Sequence, residues 1–284
     1  MPPAPDTTPA APQLGAYGLV VAGIPGADPW MQSQLPTAPT FGLHVHVDAD
    51  LATDRSEPVL TDARADLPLI GGGRLRLERD STEAHFHLDV RPPDEDLLHP
   101  YLAPAAALYW QWAGREAIHA GVFEVGGGAI LMLGDKEAGK STTLAWLATQ
   151  GGTPVLSDDL AVLDGREVLV GPRSIDLRVE GSLPGVSEHL VRSGERHRVR
   201  LPAAPPALPL AGLVVLDWAP EPELAPVGFT KRMELIARQR TFPTVAANPT
   251  ALLELASVPM IRAARPRDPA GLAPFCRRLV DRFS

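Results

Sequence analysis

The run Ile130 to Thr143, ILMLGDKEAGKSTT, stops an apolar segment at a glycine and, five residues later, opens an amphipathic one with Gly-Lys-Ser. Few folds accommodate such a stretch. Gly134, Gly139, Lys140 and Ser141 fill the fixed places of G-x-x-x-x-G-K-[ST], the P-loop between a strand and a helix. Gly134 lets the strand turn sharply, and Gly139 lets the backbone approach a phosphate with no Cβ in the way. The amides of Asp135, Lys136, Glu137 and Ala138 line an anion cradle, and the helix expected from about Lys140 to Gln150 points its positive dipole end, with Thr142 in its first turn, at the same spot. In this motif Lys140 reaches phosphate oxygens and the Ser141 hydroxyl binds Mg²⁺. The apolar run Ala129 to Leu133 before the loop and Leu144, Trp146 and Leu147 after it suit a strand and a helix packed on a sheet.

Composition narrows the class. With 284 residues and 45% hydrophobic content the chain can bury one large core or two modest ones. A formal net charge of -8 argues against nucleic-acid binding, which needs cationic surface to displace phosphate counterions. The single cysteine, Cys276, permits no intrachain disulfide and is read as a structural thiol in a reducing, cytoplasmic setting. No basic, apolar leader and no apolar run near the ~20 residues of a bilayer span is visible, so no membrane partner is expected. Residues 1–15 read as a disordered, proline-rich tail.

From residue 16 to 115 the chain reads as a β-rich layer closed by a helix. Tyr17 to Gly23, Phe41 to Val47, Arg74 to Glu78 and Ala84 to Val90 have strand texture, and Pro92 to Trp112 reads as a helix broken near Pro100 and Pro104. Two strands carry H-x-H, His44 with His46 and His85 with His87, one face each. If the strands are neighbours the four rings offer a metal site, and if not they face water; the second reading is preferred because the spacing fixes no carboxylate beside them.

Residues 116–284 hold the P-loop. IHAGVFEVGGGAILMLG predicts a hairpin whose second strand delivers the loop, with His119 at the start of the first strand. After the helix, TPVLSDD gives a strand ending in Asp158 and Asp159, expected beside the P-loop strand, where the pair can supply a base and a second metal anchor; a simple turn is the structural alternative. LVVLD, Leu213 to Asp217, is a rival anchor. Arg173 and Arg178 could clamp phosphates or a carboxylate, and the basic run around Arg196 and Arg198 either receives an acidic peptide or is a solvated loop. Lys231 to Arg240, Pro249 to Ala256 and Gly271 to Phe283 are expected helices, and Leu210 to Leu216 and Val258 to Ala264 strands.

His119, GDKEAGKST and LSDD, with His119 fifteen residues before Gly134 and Asp158 eighteen after Lys140, resemble the P-loop kinases of the HPr kinase/phosphorylase type, from about Ala117 to the C-terminus. The resemblance implies an α/β fold akin to the phosphoenolpyruvate-carboxykinase P-loop domain, ATP and Mg²⁺ as cofactors, and phosphorylation of a serine hydroxyl in a peptide or protein. It implies Asp158 as base assisted by His119, Lys140 on the phosphates, and Ser141 with Asp159 on Mg²⁺. Relatives of this type form oligomers, so a homo-oligomer is possible here. Lys136 and Glu137 stand where that family usually has Ser-Gly, and the N-terminal layer does not read as its usual N-terminal domain, which weighs against phosphorolysis and against HPr as acceptor. GPRSIDLR, RHRVRLP and LPLAGLVVLDW resemble blocks of HPr-kinase-like proteins of lasso-peptide biosynthesis, in which a precursor serine is phosphorylated. A catalytically weak, nucleotide-responsive peptide-binding module is the alternative. A GTPase switch lacks its N-K-x-D motif.

Overall fold

The computed structural model describes residues 13–34, 38–47, 57–69, 72–178, 183 and 189–284. It is a mixed α/β protein with two large sheets and a three-stranded one. Most of the segment read as a tail, residues 1–12, lies outside the described residues, but Gln13–Ala16 is a strand, paired with Leu19–Ala22 and Gln32–Gln34.

The first sheet has eight strands, with Thr40–Val47 and Glu83–Leu88 parallel at its centre. Alternation decides its faces. Phe41, Leu43, Leu75, Leu77, Ala84 and Phe86 point inward onto the helix Leu102–Trp112, while the histidines point outward. Asp94–Asp96 begins the helical stretch, which breaks at His99, where φ is -145° and ψ 113°, before Pro100. Pro104 breaks nothing, because it lies in the first turn of Leu102–Trp112, where no intrahelical N–H is owed. The core under this sheet also takes in Ala117, Leu160, Val162, Leu169 and Val245, so the N-terminal layer is packed directly on the P-loop half.

The second sheet places the strands in the order Val155–Ser157, Gly121–Val125, Gly128–Leu133, Ala207–Trp218. The twelve-residue strand Ala207–Trp218 does two jobs. Its first part pairs with Glu167–Leu169, which leads through Ala161–Asp164 to Glu116–Ile118, and its second part runs parallel to Met260–Arg265. All six residues of Gly128–Leu133 are buried, as expected for a strand covered on both faces. Ile130 and Met132 face the helices Lys140–Thr149 and Leu272–Phe283; Leu131 and Leu133 face Phe229–Arg238 and Pro249–Ser257. The turn through Gly126 and Gly127, both at positive φ, closes the expected hairpin. Among the described residues no helix is long and apolar enough to cross a membrane.

Candidate functional site

The loop after Leu133 has the geometry its glycines require. Gly134 (φ +154°) and Gly139 (φ +88°) both occupy positive φ, and a Cβ on Gly139 would stand 3.1 Å from Arg265 Nη2 and 3.3 Å from the Trp218 ring. Gly139 caps the helix Lys140–Thr149, with Thr142 half-buried in its first turn. The Lys140 ammonium is buried and donates to the carbonyls of Gly134 at 2.7 Å and Asp135 at 3.4 Å, holding its charge over the cradle. Burial lowers its pKa, against the charges of Asp159, Asp158 and Asp135. Ala138 is buried under the loop, while the side chains of Asp135, Lys136 and Glu137 are exposed. Two of these are tethered: Arg238 donates to Asp135 Oδ1 at 2.6 Å and Arg178 to Glu137 Oε1 at 2.9 Å. Trp218 Nε1 donates to the Glu137 carbonyl at 3.1 Å, and Arg265 lies over the Trp218 ring.

Asp158 and Asp159 end a strand that is not beside the P-loop strand. Gly121–Val125, the first arm of the hairpin, folds back and takes the intervening place, so the expected adjacency is corrected by one strand. The pair still arrives at the loop. Ser141 Oγ donates to Asp158 Oδ1 at 3.2 Å. A tight turn sets the two carboxylates: the Leu160 N–H donates to the Asp158 carbonyl at 2.8 Å, the Ser157 hydroxyl to the Leu160 carbonyl at 2.6 Å, and Asp159 takes φ +64°, a left-handed conformation that aspartate tolerates better than most residues. Asp158 is 2% exposed, and its Oδ2 has no partner. Burial, then the charges of Asp159 and Asp176, raises its pKa well above the ordinary carboxylate range, against the Ser141 hydrogen bond and Lys140.

His119 lies in a bend between Glu116–Ile118 and Gly121–Val125 rather than at the start of a strand, fixed by its N–H to the Gln239 carbonyl at 2.7 Å. Its ring is open to solvent on one side, yet lost hydration on the other, then the Lys140 charge, lowers its pKa against the charge and backbone of Asp159. The rival anchor Asp217 is engaged elsewhere: Arg262 holds its Oδ2 at 2.7 Å, and that hydrogen bond keeps its pKa below the usual range.

The four arginines divide. Arg173 is no phosphate clamp, because it is 3% exposed and donates to the carbonyls of Leu156, Val155 and Pro202, stitching the Asp158 strand to the chain around Pro202. Arg198 is no surface contact either. The segment read as a possible solvated loop is the strand Arg196–Arg200, paired with Ser174–Arg178, and alternation turns Arg198 inward onto Asp176 at 2.8 and 2.9 Å. Arg178 and Arg196 are cross-strand partners on the same face as Arg198 and Asp176, at its more exposed end, where Arg178 reaches the loop's Glu137.

The N-terminal layer adds a residue with no motif to announce it. His99, 1% exposed, leaves both ring nitrogens without a hydrogen-bond partner, and one of them lies with an oxygen each of Asp158 and Asp159 within 4.8 Å of one another. Arg198 Nη2 holds the His99 carbonyl at 2.6 Å, so Asp176, Arg198 and His99 form one connected wall. Burial lowers the His99 pKa, against the charges of Asp176 and Asp159. The exposed histidines are also brought together: the parallel register sets His44 beside His85 and His46 beside His87, with His46 Nε2 and His85 Nδ1 3.0 Å apart. Their rings stack, and among the described residues no three of their donor atoms converge as the His99, Asp158 and Asp159 set does.

No family model matches this chain, and no curated protein matches it. Among solved structures, the Hpr(Ser) kinase/phosphatase from Coxiella burnetii is similar at a TM-score of 0.31 and 12% identity, over 59% of this chain and 88% of that one. So slight a likeness decides neither topology nor activity.

Proposed function

We propose that the chain is an ATP- and Mg²⁺-dependent kinase that phosphorylates a serine hydroxyl of a peptide or protein, its acceptor being a ribosomally made precursor peptide of the lasso type. The 3.2 Å contact of Ser141 with Asp158 carries this reading, because it joins the P-loop helix to a buried carboxylate whose second oxygen is free to take a proton. A nucleotide-binding loop alone has no need of such a group.

The residues fit the cofactor. The glycine-formed cradle, a Lys140 ammonium held by the loop's own carbonyls, and the Ser141 hydroxyl on Asp158, with Asp159 the next residue, match what a triphosphate and a divalent cation require. When bound, the nucleotide and its Mg²⁺ supply an electrophilic γ-phosphoryl group with its charge neutralised. Lys140 and the loop amides bind and orient the phosphates, and Ser141 with Asp159 holds the cation. Asp158 accepts the proton of the acceptor hydroxyl as its oxygen gains the phosphoryl group and ADP leaves. Neutral His119, beside Asp159, orients that hydroxyl. Arg178 and Arg196 give the peptide a basic edge to lie on.

Mass spectrometry of a precursor peptide ending in serine, and of HPr, after incubation with the protein, ATP and Mg²⁺ tests this directly. One phosphoryl mass gain is expected on the precursor, absent with Lys140→Ala. Asp158→Asn should cut the rate roughly 10²–10⁴-fold with nucleotide binding kept. Unimpaired transfer in Asp158→Asn would overturn its role as base. No transfer to any serine peptide, with ATP bound, would favour the second reading, a nucleotide-responsive peptide-binding module; Glu137, an acid inside the loop at φ +69°, is the feature that supports it.

A further inference from the structure

We propose that His99, Asp158 and Asp159 form a binding site for a divalent transition-metal ion of the Zn²⁺, Co²⁺ and Mn²⁺ class, distinct in its donor set from a Mg²⁺ site. Three observations carry it. One donor atom from each residue lies within 4.8 Å of the other two. His99 is 1% exposed with neither ring nitrogen hydrogen-bonded, and Asp158 Oδ2 is buried and equally unpartnered. A buried imidazole with two orphan nitrogens and a carboxylate oxygen facing it forgo about 1–3 kcal/mol each unless something fills the space between them. A water bridges such groups only through hydrogen bonds, whereas a cation takes one imidazole nitrogen and an oxygen of each aspartate as direct ligands.

The donor types set the class of ion. Zn²⁺ and its neighbours take imidazole nitrogen and carboxylate oxygen at about 2.0–2.2 Å, whereas Mg²⁺ prefers oxygen alone and gives up its waters reluctantly. Drawing three donors from their present spacing onto one ion needs movements on the order of an ångström, small for side chains at a tight turn and at a helix break. Asp159 is only partly buried and gives the ion its entry. Arg198 already fixes the His99 main chain through its carbonyl, and Asp176, which holds Arg198, has Oδ2 3.9 Å from His99 Nε2, so the residue is held in place beside the two aspartates.

The site couples the two halves of the molecule, for His99 comes from the N-terminal layer and both aspartates from the P-loop half. One consequence rests on the kinase reading above: an ion held by Asp158 occupies the proposed base, so Zn²⁺ at this site opposes phosphoryl transfer. The binding itself does not depend on that reading.

The test is Zn²⁺ titration of nucleotide-free protein by calorimetry, in a background with His44, His46, His85 and His87 all replaced by Ala, which removes the exposed histidine ladder as a competing ligand. About one equivalent should bind, with at least tenfold weaker affinity in His99→Gln and in Asp159→Asn, and excess Mg²⁺ should not displace it. Should His99→Gln fail to fold, Asp159→Asn, at the open edge, decides alone. Absence of a bound equivalent, unchanged affinity in the variants, or displacement by Mg²⁺ would each overturn the site. Zn²⁺ binding with no serine kinase activity would leave the site standing and remove only the inhibitory consequence.

Discussion

Arg178 and Arg198 sit on the same small sheet and each grips a carboxylate at closely similar distance, 2.9 Å to Glu137 and 2.8 Å to Asp176. The first pair is about half exposed; the second is 0% and 3% exposed. That difference separates the two walls of the site. On the loop wall, Arg178–Glu137 and Arg238–Asp135 are solvated contacts that cost little to open, which suits groups that must let a ligand in. On the N-terminal wall, Arg198 is committed: it holds Asp176 through two nitrogens, lies 3.2 Å from Asp96 and donates to the His99 carbonyl. Burial of the charges makes the pair costly to break, whatever its net worth against an apolar replacement.

The sharpest way to break this comparison is Arg198→Ala. It leaves Asp176 buried with Arg192 at 2.8 Å and His99 Nε2 at 3.9 Å, and frees the His99 backbone. A loss of roughly 3–5 kcal/mol in urea unfolding is expected. The pH dependence adds a second signature. Burial works to raise the Asp176 pKa, but His99, the Arg198 hydrogen bonds and the two guanidinium charges overcome it and bring it below the ordinary range. A lowered folded-state pKa stabilises above the unfolded value and is lost as pH falls through the folded one, so the wild type should lose stability on acidification, and Arg198→Ala should lose less of it. A variant as stable as the wild type, with the same acid limb, would show the buried pair to be no different from the exposed one.

A smaller effect should appear in the pH profile of phosphoryl transfer. Asp158 must be ionised to act as a base, and its pKa is raised, so kcat/KM should climb with pH through a limb above the ordinary carboxylate range. Because Asp159 is adjacent, that limb belongs to the pair. Burial lowers the Lys140 pKa, so activity should fall again below the pH at which an exposed lysine would lose its charge. A limb at the ordinary aspartate value would mean that the base is exposed, placing it on the wrong side of the comparison.

How much of this was legible in the sequence follows the range of the interactions. The P-loop, its strand and its helix are local, and Gly134, Gly139, Lys140 and Ser141 stand as the motif dictates. The hairpin could be read from its glycines, but that its first arm separates the Asp158 strand from the loop strand could not, since spacing does not encode strand order. Arg173 and Arg198 looked like ligand-binding arginines because charge suggests exposure. Their partners, the Pro202 carbonyl and Asp176, lie 29 and 22 positions away and become visible only once the strands pair. His99 gave the weakest signal, a lone histidine before a proline, whereas the conspicuous H-x-H strands put their rings on an outer face. Arg238 and Trp218, which bond the loop at Asp135 and Glu137, carried no mark in the sequence either, because each reaches it through the fold.

The least effect is expected from Arg178→Ala on stability, and it bears most directly on the comparison. Both partners are largely solvated, so removing the guanidinium should change unfolding free energy by less than about 1 kcal/mol, and less again in salt. Its functional effect should differ in kind. Arg178 neutralises Glu137, an acid within the phosphate cradle, so its loss leaves an uncompensated negative charge where the nucleotide's own charge must sit. ATP affinity should therefore weaken severalfold, and Glu137→Gln in the same chain should restore it. If Arg178→Ala weakens ATP binding and the second substitution does not rescue it, the arginine contacts the nucleotide itself and its pairing with Glu137 is incidental. A large stability loss would instead place Arg178 with Arg198 as a structural pair.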